Sequence, residues 1–339
     1  MENLSGQPLL DNSLDRHLFV DRERELAETA SALARRVNVL LIGERGSGKT
    51  SFLYRLQGDL RTRGLEVVYV AGYLLAESAS DLLGLIRYRL GEPQTVTTSA
   101  FANAASLMTS YTTRVVPEGE RVLQGIDALE RGLGKREQPA VVLLDEMPNR
   151  DEARKLFARM RDEVWRLPLV WVVAITNEDA ETFLKPPADA FFGRVIRLPG
   201  FSEEASRQIL ASRVPALDSQ TVQTLVQRAG GNPRRLVSLA QDVAIRGANP
   251  AAVAEQAEKL LDRLNRLGDP AKRLYAELEV LGHASPSDRE LLQRLGWKRS
   301  RAQQVLAKLE EAGLVVANQE TQVRGGPKKI YRPSTSTAA

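Results

Sequence analysis

The stretch Gly43-Glu44-Arg45-Gly46-Ser47-Gly48-Lys49-Thr50 fits the spacing G-x-x-x-x-G-K-[ST]. Each residue type has a chemical reason. Glycines let successive backbone N–H groups turn inward on an anionic phosphate chain. An ammonium at Lys49 reaches β/γ-phosphates, and the Thr50 hydroxyl can ligate Mg²⁺. A second constellation lies about 95 residues on, where Val141-Val142-Leu143-Leu144 runs into Asp145-Glu146. Such a buried strand delivers the first carboxylate, Asp145, to hydrated Mg²⁺. The second, Glu146, can polarise a water in line with the γ-phosphate. Two further polar groups follow. Asn177 ends an apolar run and could orient that water, although turn formation also explains an Asn there. Arg234 and Arg235 sit at a helix start, where the dipole disfavours cations; an anion nearby explains that local cost.

These residues need a scaffold, and the flanking sequence predicts one. Val37–Ile42 reads as a buried strand before the glycine-rich loop, and Ser51 continues the opening of a helix after it, whose N-terminus also favours phosphate. Further strands are predicted at Leu65–Ala71, Ala140–Asp145, Pro168–Ile175 and Val195–Leu198, with helices at Ser80–Leu90, Glu118–Arg131 and Asp151–Trp165. Asp21 is a plausible N-cap for a charged helix running to Arg36. Strands alternating with helices make an α/β parallel sheet flanked by helices, the P-loop NTPase class.

Three helices follow at Glu203–Arg213, Ser219–Ala229 and Pro233–Arg246, then a charged connector at Ala251–Leu267. The last module reads as helices at Ala271–Leu281, Ser287–Leu295 and Ser300–Ala312 with strands Leu314–Ala317 and Lys329–Arg332. Three helices and a hairpin describe a winged helix-turn-helix, whose third helix enters the major groove of double-stranded DNA. Lys298, Arg299, Ser300, Arg301, Gln303 and Gln304 on that helix, and Arg324, Lys328 and Lys329 on the hairpin, suit phosphates and base edges. The domain division read from sequence is 1–17 flexible, 18–200 nucleotide-binding, 201–268 helical lid and connector, 269–334 winged helix and 335–339 tail.

Charge agrees with a polyanion partner at that end. Pro270–Pro333 holds twelve Lys/Arg against seven Asp/Glu, whereas the whole chain of 339 residues carries a net +4. There is no cysteine, so thiol-based zinc sites and disulfides are excluded, which fits a reducing cytoplasm. Only two histidines occur, His17 and His283, far apart in the chain, which argues against a histidine triad or metal site. Neither a signal peptide nor a membrane-spanning run is evident.

Taken together, the motifs resemble the AAA+ ATPases over about residues 18–246, in particular the replication-initiator and archaeal-type ATPase group, whose members pair this module with a C-terminal winged helix. Gly43–Thr50 corresponds to Walker A, Asp145-Glu146 to Walker B and Asn177 to sensor 1. Phe19-Val20-Asp21-Arg22-Glu23 looks like the N-terminal box near the adenine, which brings Val20 and Arg22 toward the cofactor. Gly231-Asn232-Pro233-Arg234-Arg235-Leu236 is similar to the sensor 2 segment, implying that Arg234, rather than Arg235, contacts the γ-phosphate. Arg194 sits where members often carry an arginine finger acting across a subunit interface; the match is loose, and Arg197 or neither arginine also fits. The resemblance implies an ATP hydrolase that takes ATP and Mg²⁺ and forms a homo-oligomer. The insertion at 91–118 departs from the family core and is either a partner-binding element or a surface excursion. A slow nucleotide-gated switch, with a winged helix that binds protein, is the alternative reading.

Overall fold

The structure, a computed structural model, describes residues 4–12, 15–71, 78–91, 117–134, 136, 138–145, 150–246, 250–320 and 328–334. Two units interleave along the chain. One consists of Glu23–Gly43 and Phe52–Leu198; the other of Met1–Arg22, Glu44–Ser51 and Pro199–Ala339.

The first unit is built on a five-stranded sheet of β1 (Val39–Gly43), β2 (Val67–Ala71), β3 (Ala140–Asp145), β4 (Leu169–Ile175) and β5 (Arg194–Leu198). The order is β2-β3-β4-β1-β5 and every pairing is parallel. Parallel strands are covered on both faces, so they read as continuous apolar runs, and β1, β3 and β4 are buried along their whole length. Alternation along each strand still sorts the side chains. Leu40, Ile42, Val142, Leu144, Trp171 and Val173 join one core, closed by helices α3 (Ala79–Arg89) and α4 (Glu118–Leu133). Leu41, Val141, Leu143 and Val172 join the other, closed by α1 (Glu23–Ala34) and α2 (Lys49–Thr62) through Leu33, Phe52, Leu53 and Leu56.

The stretch expected as one helix over Asp151–Trp165 is interrupted. An α-turn α5 (Arg150–Arg154) passes through a π segment at Lys155–Arg159 before α6 (Arg161–Trp165). The wider turn carries Phe157, which is 0% exposed, into a ring cluster with Trp171, Phe183, Phe191 and Phe192. A short helix α7 (Ala180–Leu184) supplies Phe183.

In the second unit, α8 (Glu203–Arg213), α9 (Ser219–Ala229) and α10 (Pro233–Arg246) pack around Ile209, Leu210, Leu225, Val226, Leu236 and Ala240. Their ends are chemically marked. The Ser202 hydroxyl accepts from Ala205 N–H, the Asp218 carboxylate from Gln220 and Thr221 N–H, and Gly230 ends α9 in the left-handed region. Helix α11 (Pro250–Leu267) leads to a C-terminal module of α12 (Asp269–Leu281), α13 (Arg289–Leu295), α14 (Arg299–Glu311) and an antiparallel pair, β6 (Val315–Glu320) with β7 (Lys328–Pro333). Its core gathers Leu274, Leu278, Leu291, Trp297, Leu306 and Tyr331, and a bridge between Ala284 and Tyr331 ties the hairpin to the helices.

Near the N-terminal end Arg213 donates to the Ser5 carbonyl and Gln241 to that of Leu4. One reading there changes. Asp21 does not cap α1 as expected. It adopts φ 63°, Arg22 follows at φ 82°, and the Asp21 carboxylate accepts from Arg22 N–H at 2.8 Å. Among the described residues no helix is long and apolar enough to cross a membrane.

Candidate functional site

The loop Glu44–Ser51 leaves buried Gly43 at the end of β1 and becomes the first turn of α2. Its turn is closed by Ser47 N–H on the Glu44 carbonyl at 3.1 Å. Gly46 and Gly48 have φ of +79° and +92°, which side-chain-bearing residues rarely adopt. They need glycine for different reasons. A Cβ at Gly46 would lie 2.7 Å from Asn232 Oδ1 and 3.0 Å from Arg234 Cβ, so the start of α10 approaches there. A Cβ at Gly48 would meet nothing within 4 Å, so the space over it is open. Lys49 is buried and its ammonium donates to the Glu44 carbonyl at 3.1 Å. Ser47 is buried too, and its hydroxyl has no hydrogen-bond partner among the described residues. Open space over Gly48, the unbonded Ser47 hydroxyl and the Lys49 ammonium suit an anionic oxygen cluster. Thr50 is half-buried, and the Ser51 hydroxyl accepts from Leu9 N–H at 3.0 Å.

The segment ahead of α10 is hydrogen-bonded to this loop. Asn232 donates to the Arg45 carbonyl at 2.8 Å, accepts Arg235 N–H at 3.2 Å, and so caps α10 and holds the loop with one side chain. Arg234 N–H reaches the Gly46 carbonyl at 3.4 Å, and its side chain is exposed. The Arg45 guanidinium donates to Glu277 on α12 at 2.8 Å. Arg22 is 3% exposed; it donates to the Pro199 carbonyl, and its guanidinium lies 4.1 Å from the Phe201 ring centre. Val20 packs on the core formed by α8, α9 and α10.

In the sheet unit, Asp145 ends β3 at 3% exposure, with Ala71 and Ala174 beside it in register. The Tyr69 hydroxyl donates to Asp145 Oδ2 at 2.8 Å, and Tyr54 stacks on Tyr69 with ring centres 4.6 Å apart. Desolvation and the Asp145 charge hold the Tyr69 phenol protonated, well above its usual range. Beyond β4, Thr176 is buried and donates to Asp179 at 2.8 Å, whereas Asn177 is exposed. Arg194 opens β5 and is ion-paired with Glu28 of α1 while still 55% exposed. Glu146, Arg324, the Lys328 side chain and residues 92–116 of the insertion lie outside the described residues. Among the described residues no three His, Cys, Asp or Glu side chains cluster as a metal cage. A hydroxyl and a carboxylate are the hard oxygen donors Mg²⁺ takes when phosphates complete its shell.

Helix α14 buries Ala302, Val305, Leu306 and Leu309 and leaves Arg299, Ser300, Arg301, Gln303 and Gln304 exposed, as is Lys298 before it. Arg301 lies 4.6 Å from the Trp297 ring centre. Lys329 is committed within the module, donating to Glu310 at 2.7 Å.

Three residues escaped sequence reasoning. Asn232 was legible only as part of a Gly-Gly-Asn-Pro turn. Tyr69 is a single hydroxyl in an apolar strand. Glu277 carries no sequence signal, because its partner is 232 positions away.

Residues 18–172 match the family model of the AAA ATPase domain. The search of curated proteins finds no match. Among solved structures, the chain is similar to Cdc6p from Pyrobaculum aerophilum, at 16% identity and TM-score 0.51 over 98% of this chain and 93% of that one. It is also similar to a Walker-type ATPase of Pyrococcus abyssi, at 16% identity and TM-score 0.50 over 98% and 97%. The Orc1 protein of Aeropyrum pernix, solved in complex with DNA, follows at 19% identity and TM-score 0.49 over 98% and 94%.

Proposed function

We infer that this chain, an ATP hydrolase through the AAA ATPase domain matched over residues 18–172, is a Mg²⁺-dependent, oligomeric ATPase that binds double-stranded DNA through a C-terminal winged helix. The observation that carries the reading is the open, glycine-lined loop with buried Lys49 at its edge. Hydrolysis of a phosphoanhydride is mostly positioning and charge neutralisation. In this reading Lys49 and Arg234 neutralise phosphate oxygens, Thr50 and Asp145 hold Mg²⁺, and Glu146 and Asn177 place the attacking water. Mg²⁺ would neutralise charge on the β- and γ-oxygens. Arg194 is the candidate that acts on a neighbouring subunit's nucleotide. The cytoplasm is the compartment proposed, and the 91–118 insertion is a candidate partner-binding element.

Tyr69 has a second role here, holding the Asp145 carboxylate in one orientation. Tyr69→Phe keeps the ring stack and removes the hydroxyl. Its half-saturating Mg²⁺ is expected to rise about tenfold, the lower end for loss of a partner to a metal ligand. A Mg²⁺ titration of ATP turnover measures it; an unchanged midpoint would show that the hydroxyl is irrelevant to the metal.

For DNA, the supporting observations are the net positive C-terminal module and the exposed polar face of α14. The double substitution Arg299→Ala/Arg301→Ala is expected to weaken duplex binding at least tenfold. It should also lower the slope of log K against log salt by about 2, roughly one per phosphate contact removed. Unaltered binding and slope would remove the groove-reading role. Mass photometry with and without ATP and duplex tests assembly and DNA binding together; ATP-dependent oligomers on duplex are expected, and persistent monomers contradict the proposal.

One observation favours the alternative of a slow switch: helix α12 of the C-terminal module touches the loop itself, through Glu277. Steady-state turnover discriminates. Strong stimulation by duplex fits the DNA-assembled ATPase, and a slow rate indifferent to duplex fits the switch.

A further inference from the structure

The loop carries a cation that phosphate chemistry leaves over. Lys49 turns back to the Glu44 carbonyl, but the Arg45 guanidinium leaves the loop and meets Glu277 on α12. Glu277 is 8% exposed, so water screens that contact little. Its other oxygen, Oε2, faces Arg294 of α13 at 3.5 Å, and Arg294 is also paired with Glu290 at 2.7 Å. The surroundings repeat the pattern. Asn232 grips the carbonyl of Arg45, and Arg234 N–H grips that of Gly46. Glu279, two residues beyond Glu277, lies in the field of Arg234, which opposes the desolvation that lifts its carboxyl. Helix α12 thus sets a carboxylate against the arginine of a loop shaped for anions.

We propose that Glu277 is a positioning residue of the nucleotide site: it holds Arg45 away from the phosphates, so that triphosphate binding and docking of α12 oppose one another. The proposal rests on the reading of Glu44–Ser51 as the phosphate site. A triphosphate brings several negative charges to the loop, and at short range in a poorly screened setting like charges repel strongly. It also offers Arg45 a second anionic partner. Both effects loosen the grip of Glu277. Binding linkage is reciprocal, so loosening Glu277 tightens the triphosphate by the same factor. A diphosphate, with less charge, should be affected less. The C-terminal module would in this way respond to the nucleotide through one charge pair.

Glu277→Gln keeps the shape of the side chain and removes its charge; Glu290 remains to pair Arg294. Calorimetry with Mg²⁺ and ATPγS should give a dissociation constant five- to tenfold lower than in the wild type, with a change under threefold for ADP. Glu277→Asp, which keeps the charge, should return toward wild-type affinity. Hydrogen exchange supplies a readout independent of affinity. ATPγS should speed exchange in Asp269–Leu281 of the wild type, and that segment should already exchange fast in nucleotide-free Glu277→Gln. Arg45→Gln breaks the same contact from the loop side, leaves Glu277 with Arg294, and should give the same fast exchange. Equal or weaker ATPγS binding in Glu277→Gln, or exchange in α12 that ignores ATPγS, overturns the proposal while leaving the nucleotide reading intact. Failure of the wild type to bind ATPγS would instead overturn the nucleotide reading.

Discussion

Lys49→Ala is expected to raise the dissociation constant for ATP at least about 100-fold and to abolish measurable turnover. The side chain is buried at the edge of the loop, where a charge-assisted bond to phosphate is worth more than in water. A factor of 100 corresponds to about 2.7 kcal/mol, within reach of one lost buried cation. The fold should survive, because the ammonium's bond to the Glu44 carbonyl lies inside the loop. Calorimetry with ATP, with circular dichroism as the check on folding, measures the effect. Glu146→Gln belongs in the same series; there binding should persist while hydrolysis stalls. A Lys49→Ala protein that binds and turns over ATP normally would remove the phosphate role of the loop.

The largest effect on stability is expected at Phe157. Truncation to alanine should destabilise the sheet unit by about 4 kcal/mol, the usual range for a large buried aromatic. Phe157 is fully buried and its ring centre lies 4.9 Å from Phe191, 5.6 Å from Trp171 and 5.7 Å from Phe192. These three and Phe183 are anchored on three separate segments and cannot all move in to fill the gap. Urea unfolding followed by tryptophan fluorescence suits the measurement, since Trp165 and Trp171 both belong to this cluster through Phe191. A change below about 1 kcal/mol would mean that the cluster collapses around the smaller side chain.

The strands were readable because parallel strands buried on both faces leave long apolar runs, as in Val141–Leu144 and Val170–Ile175. Glycine and proline punctuation likewise gave the boundaries of α9 and α10. What stayed hidden depends on contacts remote in sequence. Nothing local says that β1 lies between β4 and β5, nor that Asn232 holds Arg45. Local propensity also misled in two places. Asp21 looks like a cap, but the chain turns left-handed at Asp21 and Arg22 so that Arg22 can reach Pro199 and Phe201. Lys155–Arg159 has helical composition, yet packing of Phe157 selects a π turn. The loop motif announced its own chemistry, while Tyr69 and Glu277 became visible only through their partners.

The placement of β1 has a further consequence during synthesis. Its Val39-Leu40-Leu41-Ile42 run finds its neighbours only at Leu169–Ile175 and Arg194–Leu198. At about 5–20 residues per second, the ribosome needs roughly eight to thirty seconds to deliver both. Throughout that interval an apolar edge stands open on the nascent chain, a natural substrate for a chaperone, and a slow codon between residues 43 and 198 would prolong the exposure.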